Sequence, residues 1–251
     1  LFDKTTRYIG QVVDLVLSYD LIDAGIYNQY GISSAFFPAC YNTDLYKPLS
    51  TTKDIDISFV GIRNKSWRDE YISYTEQNGL NIQTHGLGSN QFITYNELVV
   101  IFNRSKINLC FNGSNKLNKI TDRIFQFKGR NAEIPLCGSF MLTEYFTGLE
   151  KIYDIGEEID VFYDKKTLIE KINYYLDNDE ERIRIAKNGY EKAVKLFTLK
   201  QFESSLVDHI KNGVIEKGNK NMTNNIYSNV YIDKDYFERY TYEKFVSMCM
   251  F

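Results

Sequence analysis

Between Lys128 and Tyr145 the chain reads KGRNAEIPLCGSFMLTEY, and this stretch gathers the residues best suited to holding a ligand. Phe125 to Leu136 reads as the opening of a helix rich in cations, Lys128 and Arg130 among them, with a single carboxylate, Glu133. Cys137, Gly138 and Ser139 form a tight turn. Phe140, Met141 and Leu142 are an apolar run of the kind a buried parallel strand shows, and Thr143, Glu144 and Tyr145 end it with polar groups. Polar side chains are thereby set at the carboxyl edge of a sheet, where ligands of open α/β folds bind. A second basic cluster, Arg63, Lys65 and Arg68, follows the strand-like run that ends at Gly61. A loop leaving a first strand lies beside a helix N-terminus, whose free N–H groups favour phosphate. Cations there add charge-assisted bonds, and Arg63 is the best placed of the three. The alternative is that these are solvated loop charges. Metal chemistry has little to draw on. Asp54 and Asp56 have the letters of an Asp-x-Asp clamp but begin a strand, and His85 and His209 have no spaced partner. His85 reads as a strand-end residue before a catalytic base.

The elements that must position these groups follow from periodicity. Ile55 to Gly61 predicts a strand, Asp69 to Asn78 a helix stopped by Gly79, and Leu80 to Thr84 a second strand, together a βαβ unit. Gly86 and Gly88 then allow a ligand close to backbone, although one G-x-G is weak evidence. Thr94 with Glu97 is a capping box, opening a helix whose Leu98, Val99, Ile101 and Phe102 face a core. Ile107 to Phe111 predicts the next strand, ending at Asn112, and Asn115 to Thr121 a polar insertion. Beyond the central stretch, Asp160 to Asp164 predicts a last strand. Two amphipathic helices follow, one through Leu168, Ile172 and Tyr175 and one opening on Asp179, Glu180 and Glu181. Phe202, Leu206 and Ile210 fit a final helix. Upstream, Ile9 to Leu17 shows a helical pattern, Leu21 to Tyr30 another, and Ser34 to Phe37 a short strand before Pro38. Tyr46 to Lys53 is a linker candidate, and the alternative makes residues 1–50 a two-helix start of one domain. After Gly213 the composition turns polar, then aromatic from Tyr227.

Composition bounds the classes. The 251 residues are enough for one substantial core, and 43% hydrophobic with 25% charged residues is ordinary for a globular protein. A net charge of -3 gives no general attraction to nucleic acid or an anionic membrane. The 20 Tyr and 17 Phe run through the whole chain and mark no single site. Four cysteines without a C-x-x-C pair read as free thiols. No signal peptide and no transmembrane run is evident, so a cytoplasmic location is the expectation. The chain begins with Leu, which suggests a fragment with an upstream part.

The pattern Arg130, Glu133-Ile134-Pro135, Cys137-Gly138, Phe140, Leu142 to Tyr145, with Gly156 to Glu158 and Tyr163 to Lys166 after it, resembles the C-terminal half of GT-B glycosyltransferases. The similar group is the spore-maturation-type, group 1-like branch, and the likeness runs roughly from Asp56 to Phe202. The resemblance implies an α/β fold, a Rossmann-like parallel sheet flanked by helices, with a helical N-terminal segment and a C-terminal tail. It implies residues 1–50 as the end of an N-terminal domain plus linker, 51–213 as the nucleotide-sugar-binding domain, and 214–251 as a connector and tail. Glu133 matches the carboxylate that accepts both ribose hydroxyls of the nucleotide, a task suited to two acceptor oxygens; a helix-cap or salt-bridge role is the alternative. Arg130 and Lys128 match groups that neutralise the departing diphosphate. Arg63, Gly61, Gly138, Thr143 and Tyr145 complete the donor-binding set. The family's earlier glutamate falls near Phe125 here and is absent. The implied activity is metal-independent transfer from a nucleotide-diphosphate sugar to a carbohydrate, protein or lipid-linked acceptor, without a cofactor or nucleic-acid partner. The alternative is a noncatalytic nucleotide- or sugar-binding module of a larger surface-assembly protein.

Overall fold

A computed structural model describes residues 13, 15–18, 21–30, 32–37, 39–63, 66–86, 93–113 and 125–211. The chain divides into two compact units. The smaller comprises residues 1–39, 113–127 and 200–251. Its described part opens with β1 (Val16–Ser18), α1 (Leu21–Gln29) and β2 (Ser34–Phe36), the two strands parallel with Val16 opposite Ser34. Ser34 is locked in place. Its hydroxyl donates to Ala24 O at 2.5 Å, and its N–H donates to Asn28 Oδ1 at 2.9 Å. The helical pattern read over Ile9 to Leu17 therefore ends in a strand. A nearly continuous apolar run fits either period, and pairing with β2 decides it. The segment before Val13, the insertion at 115–121 and the tail beyond 213 lie outside the described residues.

The larger unit, residues 40–112 and 128–199, holds a five-stranded parallel sheet in the order β4-β3-β5-β6-β7. The strands are β3 (Ile55–Val60), β4 (Ile82–His85), β5 (Ser105–Cys110), β6 (Met141–Glu144) and β7 (Asp160–Phe162). Their connections carry α2 (Ser66–Gln77), α3 (Tyr95–Arg104) and α4 (Arg130–Leu136); α5 (Lys165–Asp177) and α6 (Asp179–Phe197) follow β7. A further helix, α7 (Leu199–Lys211), leads into the smaller unit. β3, β5 and β6 are buried along nearly their whole length, Asp56 and Lys106 excepted, because helices cover the sheet faces. Ile57, Ile107, Leu109 and Leu142 are buried in one cluster with Ile72 of α2 and Leu168 and Ile172 of α5. Thr94 and Glu97 make the reciprocal capping box that their spacing predicts.

The order places a switch point between β3 and β5. The chain leaves β3 toward β4 on one side and returns through α3 to β5 on the other. Loops from adjacent strands diverge there and leave a crevice at the carboxyl edge.

Helix α4 is shorter than the reading over Phe125 to Leu136, since Phe125 to Lys128 is not helical. It also contains Pro135, which has no N–H to offer Asn131 O one turn back. The buried Tyr153 supplies that bond, its hydroxyl donating to Asn131 O at 2.6 Å. A tyrosine outside the helix thus completes the helix. That pins the turn carrying Arg130 and Glu133.

The described thiols are all free: Cys40 is exposed, and Cys110 and Cys137 are buried. Burial pushes the Cys110 thiol up to about 11 and the Cys137 thiol up to about 12. Alkylation requires the thiolate. Iodoacetamide at pH 8 is expected to label Cys40 in the native chain and leave Cys110 and Cys137 unmodified until denaturant is added. Peptide mass spectrometry with and without denaturant checks this, and native labelling of Cys110 would contradict its burial.

Candidate functional site

The residues read as a site gather at the carboxyl edge of the larger unit's sheet, with two departures. At its centre Arg130, the first residue of α4, reaches across the switch point. Its Nε donates to Val60 O, at the end of β3, at 3.3 Å, and its other arm forms an ion pair with Glu133 Oε2. The guanidinium lies over the Phe102 ring, 5.6 Å from its centroid. One side chain thereby links the start of α4 to the end of β3 and holds the carboxylate between them. The geometry depends on Arg rather than Lys, whose single ammonium has no planar fork to make both contacts.

Glu133 lies on the first turn of α4 and is only 7% exposed. Tyr41 and Tyr46 flank it, their rings packed edge to face at 5.6 Å. Burial and then the nearby Glu133 carboxylate push both phenols upward, while Arg130 pulls in the opposite direction. Lys128 is partly buried just before Gly129, and its carbonyl accepts from Asn131 N at 2.9 Å.

Beneath these groups lies a buried polar layer that ties three strand and helix ends together. Asn112, just past β5, donates through Nδ2 to Thr143 Oγ1 at 2.8 Å and to Glu144 O at 2.5 Å. Its Oδ1 accepts from Asn131 Nδ2 at 2.7 Å, and Thr143 Oγ1 donates to Asn131 Oδ1 at 3.2 Å. The backbone N–H of Asn112 donates to Glu144 Oε2 at 3.1 Å. Asn112, Asn131 and Thr143 are fully buried, and such a satisfied network fixes one arrangement. Thr143 therefore positions the edge from within. Asn112, Asn131 and Glu144 did not stand out in the sequence as site residues, although a polar residue closing an apolar strand marks Asn112 as it marks Thr143.

The remaining predicted residues are placed as follows. Gly61 closes β3, its N–H donating to His85 O at 2.8 Å, and its carbonyl lies 2.7 Å from where a Cβ on Gly86 would stand. Gly86 has φ +110°, so the two glycines allow a backbone approach that no side chain permits. Tyr145 follows β6, with its hydroxyl 3.4 Å from Glu150 Oε2 and its ring tilted on Tyr163. Burial, then Glu150, pushes the Tyr145 phenol up.

The first departure is Arg63, whose charge is turned toward α2. Its Nε bonds Asp69 Oδ1 at 2.9 Å and its two terminal nitrogens grip Glu76 at 3.1 and 3.0 Å. Two carboxylates already neutralise it. Arg68, ranked below it in the sequence, instead stays at the sheet edge. It donates to Ile62 O at 2.7 Å and lies over the rings of Trp67, Phe59 and Phe111 at 4.7, 5.5 and 5.8 Å. Lys65 lies outside the described residues. The second departure is Gly138, which sits at the opposite edge because α4 runs back to the start of β6. Its φ is +64° and a Cβ there would lie 2.9 Å from Pro48 Cγ, so the glycine serves a turn and a close packing contact. Among the described residues no group of three or more His, Cys, Asp or Glu is placed to hold a metal. No described helix is long and apolar enough to cross a membrane.

A family model for glycosyl transferase-like proteins matches residues 43–206, which takes in this site apart from Tyr41. The chain belongs to the glycosyl transferase-like family. Solved structures place its fold. The sucrose-phosphate synthase of Thermosynechococcus elongatus is 14% identical with a TM-score of 0.60, covering 84% of this chain and 62% of that one. Anabaena HepE, solved in complex with UDP-glucose, is 12% identical with a TM-score of 0.61, covering 82% of this chain and 66% of that one. A Rickettsia africae glycosyltransferase is 12% identical with a TM-score of 0.55, covering 86% of this chain and 68% of that one. At such identities the likeness is one of fold: the parallel sheet and its helices match the Rossmann-like domain of GT-B glycosyltransferases. The glycosyl transferase-like chain spans less than two thirds of the length of the first two structures. A search of curated proteins found no significant match.

Proposed function

We propose that this chain is the donor-binding part of a glycosyltransferase that takes a nucleotide-diphosphate sugar and passes its sugar to a carbohydrate, protein or lipid-linked acceptor. The observation that carries the reading is the Arg130–Glu133 pair, anchored on Val60 O at the switch point of the sheet. A carboxylate and a guanidinium side by side offer acceptors for ribose hydroxyls and a donor fork for phosphate oxygens. The leaving group in such a transfer is a nucleoside diphosphate, and the chemistry needs its developing negative charge stabilised. Preorganised cations at a partly desolvated edge do this without reorganising at the moment of reaction. Arg130 and Lys128 are the groups assigned that task, with Arg68 beside the start of α2 in place of Arg63. In this reading the cations take the role that a metal clamp plays elsewhere, and transfer is metal-independent. Residues 51–213 form the donor-binding domain, residues 1–50 close a preceding domain, and 214–251 form a connector and tail. The reaction takes place in the cytoplasm.

HepE is similar in fold and was solved with UDP-glucose, which makes UDP the first nucleotide to test. The experiment is calorimetric titration of the chain with UDP, GDP, ADP, TDP and CMP in the presence of a chelator. One nucleotide is expected to bind at micromolar strength. Glu133→Ala is expected to weaken it by about 1–3 kcal/mol through lost hydrogen bonds to the ribose. Unchanged affinity in that variant would remove Glu133 from the ribose. A folded chain that binds none of the five would overturn the donor-site reading and favour a noncatalytic module.

A further inference from the structure

The carboxylate at the centre of the site is only half engaged. Glu133 Oε2 is taken by Arg130. Among the described residues Glu133 Oε1 has no hydrogen-bond partner, and neither has the hydroxyl of Tyr41. The two oxygens stand over the same stretch of bare backbone. A Cβ built on Gly129 would lie 3.1 Å from Glu133 Oε1 and 3.2 Å from the Tyr41 oxygen. A residue far upstream in the chain therefore delivers its one polar atom beside the free oxygen of the site's carboxylate.

Tyr41 is not there by loose chance. Its N–H donates to Phe197 O at 2.8 Å, it bridges to Thr198, and its ring packs on Tyr46. Packing alone would be served as well by phenylalanine, since none of these contacts uses the hydroxyl. A neutral phenol both donates and accepts, and a ligand hydroxyl does the same. A ribose presents two adjacent hydroxyls. If Glu133 keeps Oε2 on Arg130, it has one oxygen fully free, and the second hydroxyl needs another partner.

We infer that Tyr41 is the second ribose-recognising residue of this site: one hydroxyl of the nucleotide's cis-diol bonds Glu133 Oε1 and its neighbour bonds the Tyr41 hydroxyl. This rests on the donor-site reading above and adds to it a residue and a selectivity for ribose over deoxyribose. Gly129 belongs to the same device. A side chain there would press on both oxygens and close the approach.

The test uses the full chain and three forms each of UDP, GDP and ADP: ribose, 2′-deoxy and 3′-deoxy. The wild-type chain is expected to bind the ribose form of one diphosphate more tightly than either deoxy form. Tyr41→Phe is expected to weaken the ribose form by about threefold to tenfold, the loss of one hydrogen bond. It also abolishes discrimination against one deoxy form while keeping discrimination against the other, which Glu133→Ala removes. Melting temperature is measured alongside. Unchanged affinity and discrimination in Tyr41→Phe would overturn the inference and leave the donor site standing. An equal loss against all three forms with a lowered melting temperature would also overturn it, by showing a structural role. A folded wild-type chain that binds none of the nine nucleotides would overturn this inference, and the donor-site reading falls with it when TDP and CMP also fail to bind.

Discussion

Gly189→Ala is expected to destabilise the fold by about 2–4 kcal/mol, lowering the melting temperature by about 5–12 °C. In an exposed helix the same change stabilises by up to about 1 kcal/mol, because glycine loses the most backbone entropy on folding. Here the geometry reverses the sign. A Cβ on Gly189, in the middle of α6, would stand 2.2 Å from the backbone carbonyl oxygen of Glu158. That carbonyl has little room to retreat. Glu158 N donates to Asp154 O at 2.8 Å, and Asn188 of α6 donates to Glu157 O at 3.0 Å. Pro135 of α4 stands 3.9 Å from the same Cβ position, so displacing α6 also disturbs the helix that carries Arg130 and Glu133. Gly79 is the control. Its φ is +80° with nothing within 4 Å of a Cβ, so Gly79→Ala costs only backbone strain, about 1 kcal/mol. Chemical denaturation of both variants checks the contrast, and a Gly189→Ala chain as stable as wild type would show that α6 does not lie against the 154–158 loop as described.

Arg130→Ala is expected to raise the dissociation constant for the nucleoside diphosphate by about 10-fold to 100-fold, whereas Arg63→Ala changes it by less than about threefold. Both residues are arginines following a strand or opening a helix near the same edge, so the contrast tests placement. Arg130 is held by Val60 O and Glu133 beside the crevice, and removing it deletes a charge-assisted donor and releases the carboxylate it steadies. Arg63 is already satisfied by Asp69 and Glu76, and its loss alters the side of α2. Arg130→Lys restores the charge and not the two-sided grip, and is expected to recover only part of the affinity. Titration of the three variants, with melting temperatures to confirm folding, decides it. Equal losses for Arg63→Ala and Arg130→Ala would put the phosphate on α2 instead.

Much of the unit's framework is written locally. The capping box at Thr94 and Glu97, the glycine stop at Gly79 and the strand patterns of β3, β5 and β6 each follow from neighbours a few residues apart. Such short-range patterns determine element type, and their alternation determines an α/β class. The motif from Arg130 to Tyr145 likewise marks its own importance, because its cations, its carboxylate and its turn are close in sequence. The helical pattern over Ile9 to Leu17 fails at its end for the complementary reason: pairing with Ser34–Phe36, which is not local, makes Val16–Ser18 a strand.

Which charges serve the site was not local information. Arg63 has the better sequence position, yet Asp69 and Glu76 claim it once α2 winds, because an ion pair forms with whichever partner the fold brings within reach. Gly138 lies within the motif in sequence, yet it falls past the C-terminal end of α4 at the start of β6, since α4 runs antiparallel to the strands. Asn112, Asn131 and Thr143 come from three separate segments, and each is satisfied only when the other two are present. Tyr41 reaches Gly129 through the packing of its own segment against the end of α6. Most element types, the fold class and the family were legible along the chain; the strand at Val16–Ser18, the start of α4 and the partners of each polar group came only with the folded arrangement. The physical reason is that propensity acts over one or two turns of chain, whereas hydrogen bonds and ion pairs are chosen by distance in space.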